Sequence, residues 1–264
     1  MITSQHHRPI QLSLHLTGEA ARGLLSGHDL GRLALPVPHA FKGDANCAMP
    51  LNVVSDEAVE AVEAHLPHDI RTSRGIRRRT FLAGRLCAEA ALRRLGCSHT
   101  VDRGVMGEPL WPSGFTGSIS HTSEMAYAVV AREAETGRFG IDTERIADWE
   151  DLRAIHGICC TRDELDSLPA LHDPVFATVM FSAKESLYKA IHDRVRRIVE
   201  FEEAKMIGLD EATGTFSLAP APSLARLVPV VVGHFTVESG WVHTSLVLPQ
   251  PQYRAYTNGF PPSG

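Results

Sequence analysis

Two segments constrain this chain more than any others: Phe139-Gly140-Ile141-Asp142-Thr143-Glu144, and Phe181-Ser182-Ala183-Lys184-Glu185-Ser186-Leu187-Tyr188-Lys189 further on. Side chains alternate between the faces of an extended segment, so Asp142 and Glu144 are expected on one side and Ile141 and Thr143 on the other. The second segment reads as a helix. Ala183, Leu187, Ala190 and Ile191 recur at helical spacing and form an apolar stripe, which leaves Glu185 and Lys189 together on another face. A strand with two carboxylates, packed by a long helix carrying a third, suits Mg2+. That ion takes hard oxygen ligands and completes its shell with substrate phosphates, and the neighbouring lysines can neutralise those phosphates. The chemistry expected is transfer of a phosphate-linked group.

The chain has 264 residues, 44% of them hydrophobic and 22% charged, enough for a sizeable core in one large or two modest domains. A net charge of -5 argues against general nucleic-acid binding, although basic clusters at 76–85 and 194–197 could form local anion sites. The five cysteines are an odd number, two of them adjacent at Cys159 and Cys160, and they form neither a disulfide framework nor a zinc spacing. No apolar run approaches the length of a membrane span and no apolar signal core opens the chain, so a soluble cytoplasmic protein is expected.

Glycine and proline punctuate short apolar runs at 10–16 and 33–37, where short strands and loops are expected. Ser55 is a candidate N-cap for a helix over 56–66 that Pro67 stops, and a Leu-, Ala- and Arg-rich helix should cover 73–95 until Gly96 ends it. Residues 107–114 carry two prolines and flanking glycines and read as a loop. Residues 117–121 and 125–131 read as a hairpin, 132–138 as an exposed linker and 139–143 as a third strand. Thr161-Arg162-Asp163-Glu164 resembles a helix start, a long helix is expected over 176–192, and 228–237 with 241–248 form another hairpin. The pattern is α+β, with a long helix and strands in each half.

Gly117-Ser118-Ile119-Ser120-His121-Thr122, Gly140-Ile141-Asp142-Thr143-Glu144 and the block from Phe181 to Ala190 resemble the three signature blocks of 4′-phosphopantetheinyl transferases of the Sfp type, in matching order and spacing. Two more stretches, around Phe81-Leu82-Ala83-Gly84-Arg85 and Gly107-Glu108-Pro109-Leu110-Trp111-Pro112, resemble the EntD-like branch of that family. The resemblance implies two pseudo-symmetric α+β subdomains, 1–134 and 135–264, with coenzyme A and Mg2+ in the cleft between them. It implies transfer of the phosphopantetheine arm of coenzyme A to a serine of an apo acyl or peptidyl carrier protein, with release of 3′,5′-ADP. The siderophore, nonribosomal peptide and polyketide pathways are the implied setting, and two fused halves allow a monomer to complete the cleft.

Carried over residue by residue, Asp142, Glu144 and Glu185 would bind Mg2+, with Glu185 also acting as or orienting the base and Lys189 taking part in catalysis. Lys184 and Lys189 would offset phosphate charge. Ser120, His121, Arg77 and Arg85 would meet the 3′-phosphoadenosine end, and Arg103 stands where a related basic residue meets the cofactor. Arg78 shares a helix face with Arg85 better than Arg77 does, but alignment on Phe81 and Arg85 favours Arg77. The role of Thr143, between the two carboxylates, stays open. Arg77 to Arg79 at the start of a helix runs against the helix dipole, which an anion bound there would explain. Alternatives from other classes are a Mg2+-dependent nucleotide phosphohydrolase and a noncatalytic coenzyme A binding protein.

Overall fold

The computed structural model describes residues 45–248. The apolar runs at 10–16 and 33–37 lie outside the described residues. Strand β1 (Ala45–Pro50) opens the first half, followed by α1 (Asp56–Val62), a one-turn 3-10 helix (Glu63–His65), α2 (His68–Arg71) and the long α3 (Gly75–Arg94). Ser55 accepts from the Ala58 amide at 3.2 Å and caps α1. At the other end of α3, Gly96 takes a left-handed φ of 81°, its amide bonds to the Arg93 carbonyl, and that of Cys97 bonds to the Leu92 carbonyl. These two bonds make the Schellman closure that a glycine at this position permits.

A two-stranded ribbon of β2 (Asp102–Arg103) and β3 (Pro109–Leu110) interrupts the loop expected at 107–114. It leads to the hairpin of β4 (Phe115–His121) and β5 (Met125–Arg132), which forms a three-stranded antiparallel sheet in the order β1-β5-β4. Alternate residues of this sheet, Cys47, Met49, Ala126, Ala128 and Val130, pack on α3 through Leu82, Ala83, Leu86 and Ala91. The expected linker at 132–138 contains a short helix, α4 (Glu133–Thr136).

The second half starts with β6 (Phe139–Arg145), then α5 (Trp149–Cys159), α6 (Arg162–Ser167) and α7 (Pro174–Val195). Thr161 and Glu164 form a complete capping box at the start of α6, and Asp173 caps α7 through the Val175 amide. Strands β7 (Ala204–Asp210), β8 (Thr215–Pro220), β9 (Val231–Glu238) and β10 (Trp241–Val247) complete a five-stranded antiparallel sheet in the order β6-β10-β9-β8-β7. The β9–β10 turn has positive φ at both Ser239 and Gly240, the conformation that matches the twist of paired strands. Helix α7 lies against β6 and β10, so closely at Gly140 that a Cβ there would overlap the Ser186 carbonyl oxygen.

The faces of the two sheets turned away from their helices meet each other. Ala48, Tyr127, Val129 and Ala131 from one sheet bury themselves against Phe139 and Ile141 from the other. The layers therefore run α3, three-stranded sheet, five-stranded sheet, α7, an α+β arrangement with a small central core. Strand β4 also lies beside β6, although the two belong to different sheets. Hydroxyls take the place of a backbone ladder there. The Ile141 amide donates to Ser118 Oγ at 3.1 Å, and the Thr143 amide donates to Ser120 Oγ at 3.2 Å.

One buried carboxyl makes this fold sensitive to pH. Glu89, on α3, is 4% exposed, and burial raises its pKa from 4.5 to about 7 against the opposing pull of Arg93 and Arg85. Below pH 4.5 both folded and unfolded states hold the proton, and between 4.5 and 7 only the folded state does, so stability falls as pH rises through that window. The loss attributable to this residue is of order 3 kcal/mol above pH 7. Glu89→Gln is expected to raise urea stability at pH 8 by about 2 kcal/mol and to change it little at pH 4.5. A Gln variant less stable than the parent at pH 8 would show that the Arg93 pair outweighs burial.

Candidate active site at the seam between the halves

Asp142, in the middle of β6, is held from three sides. Ser120 Oγ of β4 donates to its Oδ1 at 2.9 Å, Ser182 Oγ of α7 donates to Oδ2 at 2.8 Å, and Lys189 Nζ reaches Oδ1 at 2.6 Å. Ser182 also exchanges a hydrogen bond with Thr244 Oγ1, which bonds in turn to Ser186 Oγ. A buried chain of hydroxyls thus fixes the carboxylate, leaving it 3% exposed. Glu144 lies two residues on. Its carboxyl is pushed up to about 8 by burial and then by Asp142, with Lys189 opposing and Glu185 adding to the rise. Burial also raises Glu185, with Lys189 opposing and Asp142 reinforcing.

Positive charge gathers on the other side of Lys189. Arg77 Nη1 of α3 lies 3.1 Å from His121 Nε2 at the end of β4. Burial pushes the His121 imidazole below its usual pKa, and the charges of Lys189 and Arg77 push the same way. The neutral ring can accept from the guanidinium, while an arriving anion would meet three basic groups. Arg78 turns aside to Glu63 at 3.2 Å, so Arg77 is the one that joins His121.

A cavity of about 270 Å³ opens between β4, β6 and the C-terminal half of α7. Trp111, Ile119 and Phe139 give it apolar walls, and Lys189 stands in its lining. From Asp142 back to Arg138, which also lines it, is four residues of strand or ~13 Å. The partly apolar cavity therefore extends from Lys189 away from the charged cluster.

The structure corrects one reading from the sequence. Lys184 does not face the cleft: it is 0% exposed, and its Nζ pairs with Glu164 at 2.9 Å while donating to the carbonyls of Cys159 and Phe201. One residue before Glu185 is about 100° around the helix, and that face of α7 is covered by α5, α6 and the 201–203 turn. Arg85 is buried, its Nη1 donating to the carbonyls of Val101 and Asp102 and its guanidinium over the Phe81 ring, so it braces the loop after α3 within reach of the Arg103 charge. Ser120 Oγ donates to Asp142 Oδ1 and accepts from the Thr143 amide, which ties β4 to β6. Arg103, on β2, pairs with Asp69 at 2.8 Å on the N-terminal half.

The carboxylates Asp142, Glu144 and Glu185 suit a hard divalent cation in donor type. Burial first and the neighbouring carboxylate charge second raise Glu144 and Glu185, and a bound cation would relieve both. Among the described residues, no three such side chains are already drawn together at metal-binding distances, and Lys189 supplies the positive charge at Asp142.

Comparison with known proteins decides the family. Residues 65–131 match the 4′-phosphopantetheinyl transferase N-terminal domain, and residues 138–235 match the 4′-phosphopantetheinyl transferase superfamily. The chain is 33% identical over 178 residues to 4′-phosphopantetheinyl transferase Svp of Streptomyces mobaraensis, covering 65% of this chain and 72% of that protein. This chain belongs to the 4′-phosphopantetheinyl transferase superfamily. It is 30% identical over 217 residues to 4′-phosphopantetheinyl transferase Npt of Nocardia iowensis, covering 75% of this chain and 96% of Npt. It is also 38% identical over 160 residues to enterobactin synthase component D of Salmonella typhi, covering 59% of this chain and 66% of that protein, just under two thirds of its length. The first matched segment contains α3 and β4, the second contains β6 and α7, and the seam residues described above come from both.

Proposed function

We propose that this protein transfers the 4′-phosphopantetheine arm of coenzyme A to a serine of an apo acyl or peptidyl carrier protein, releasing 3′,5′-ADP. The observation that carries this reading is the seam. Arg77, His121 and Lys189 form a basic cluster next to Asp142, Glu144 and Glu185, and Lys189 also lines the 270 Å³ cavity. The basic cluster suits the phosphates of coenzyme A, and the cavity with its apolar walls suits the extended pantetheine arm.

In this reading the carrier serine oxygen forms a bond to the β-phosphorus as the bond to the α-phosphate-bridging oxygen breaks. Glu185 takes or orients the serine proton, a task for which its raised pKa fits it. Lys189, within reach of both Asp142 and the cavity, offsets negative charge on the transferred phosphate. Arg77 and His121 hold the 3′-phosphate end. Asp142, Glu144 and Glu185 would hold Mg2+, which when bound supplies the charge that the pyrophosphate needs. A division at 134/135, a monomeric state and a cytoplasmic location complete the proposal. All five cysteines are free, which fits a reducing compartment, and among the described residues no helix is long and apolar enough to cross a membrane. The likeness to enterobactin synthase component D favours carriers of siderophore or other nonribosomal peptide assembly.

The test is intact-mass spectrometry of apo carrier proteins incubated with this protein, coenzyme A and Mg2+, with and without EDTA. The expected result is one added phosphopantetheine arm per carrier, abolished by EDTA and restored by excess Mg2+. Hydrolysis of coenzyme A with no carrier modified would instead support a phosphohydrolase.

A further inference from the structure

Thr143, between the two strand carboxylates, faces away from the cleft. It is 0% exposed, and its Oγ1 lies 3.0 Å from Nδ1 of His243, its direct partner across the β6–β10 ladder. The His243 ring meets Tyr127 of β5 edge-on, with centroids 5.9 Å apart. Tyr127 is buried in the sheet-to-sheet core with Ala48, Val129, Phe139 and Ile141. The Thr143–His243–Tyr127 chain is thus a polar insertion beside the apolar contact of Ala48, Val129, Phe139 and Ile141. Apolar side chains of the same size would fill that space without needing partners, so the polar chain adds direction to the contact.

The place where it acts is an edge strand. β6 is at the edge of its sheet and has one ladder neighbour, β10. On its other side the Ile141 and Thr143 amides are met by the two serine hydroxyls of β4. A slip of one residue would exchange its faces and turn Asp142 and Glu144 into the core, so whatever holds Thr143 inward holds both carboxylates outward. His243 lies beyond the matched family segment, which ends at 235. Its Nδ1 is committed to Thr143, on the face of β6 opposite Asp142.

We propose that His243 is a positioning residue: through Thr143 it locks the face of β6, and through Tyr127 it ties that lock to the N-terminal sheet. The proposal rests on the transferase reading of the seam and adds a residue outside the cleft to it. The variants are Thr143→Val, which keeps the shape and removes the hydroxyl, His243→Phe, which keeps a ring against Tyr127, His243→Asn, which restores a polar atom near Nδ1, and the Thr143→Val/His243→Phe double variant. Each is assayed for transfer kinetics, thermal stability and calorimetric Mg2+ binding in the presence of coenzyme A. Thr143→Val and His243→Phe are each expected to lower kcat and Mg2+ affinity about tenfold, with the coenzyme A KM within about twofold. The double variant should lose no more than either single one, and His243→Asn should recover most of the loss. Parental kcat and Mg2+ affinity in the two single variants, or losses that multiply in the double, overturn the proposal. If His243→Phe does not fold, Thr143→Val and His243→Asn read the same contact. A parent that binds Mg2+ but modifies no carrier sinks the transferase reading, and the calorimetric comparison still decides the role of His243.

Discussion

Lys184→Met is expected to cost about 3–5 kcal/mol of folding stability and to leave the coenzyme A KM of the folded protein within about twofold. Lys184 and Glu164 are both 0% exposed, and the ammonium is saturated by Glu164 and the carbonyls of Cys159 and Phe201. Glu164 has its own set of donors: Thr161 through its amide and its hydroxyl, and the Met206 amide. The pair therefore joins α5, α6, β7 and α7 at one point, directly behind the helix turn that carries Glu185. Removing the cation strands a carboxylate and two carbonyls in the interior, which costs far more than the net worth of the intact pair. Lys184→Met with Glu164→Gln should lose clearly less than the sum of the single changes, because each single change leaves the other group uncompensated. Urea unfolding at several temperatures measures this, and steady-state kinetics well below the midpoint measures the KM. A large rise in KM with stability intact would show the lysine reaching phosphate, as the sequence alone suggested.

Lys184 also shows where reading the sequence stops. The stripe of Ala183, Leu187, Ala190 and Ile191 located the core face of α7, and all four are buried. Helical spacing says which residues share a face but not how many faces are covered. α7 is packed by β6 and β10 on one side and by α5 and the 3-10 turn at Pro169–His172 on another, so Lys184 is enclosed as well. Arg85 repeats the lesson on α3, where the carbonyls of a following loop supply partners that no periodicity predicts. Strand β7 was missed for a different reason. Between Met206 and Gly208 the register shifts, which breaks the alternation a strand would otherwise display. The capping box at Thr161, the glycine stop after α3 and the two expected hairpins, whose turns are chemically local, were legible because their residues are near in sequence. The hydroxyl seam of Ser118, Ser120 and Ser182 and the His243 contact are long-range and belong to the tertiary fold alone.

Glu185→Gln is expected to lower kcat for carrier modification by about 10²–10⁴ while coenzyme A binding stays within a few-fold. The side chain is half-buried on the exposed side of α7, next to Lys189, and its pKa is raised by burial and by Asp142, with Lys189 opposing. Glutamine keeps the size and polarity of the group, so the fold should be preserved, and the loss of one negative charge from three crowded carboxylates should not destabilise it. What glutamine lacks is a basic oxygen for the serine proton and an anionic ligand for a cation. These two losses separate experimentally. If Glu185 works mainly as a ligand, raising Mg2+ should recover a good part of the rate, whereas a lost proton acceptor is not replaced by more metal. Asp142→Asn offers the contrast, because its carboxylate is already tied to Ser120, Ser182 and Lys189, and neutralising it releases Lys189 and loosens the seam. That variant should therefore lose both turnover and thermal stability, with Glu185→Gln losing turnover alone. Normal turnover in Glu185→Gln would remove this residue from the chemistry and leave Asp142 and Lys189 as the groups that act on the phosphate.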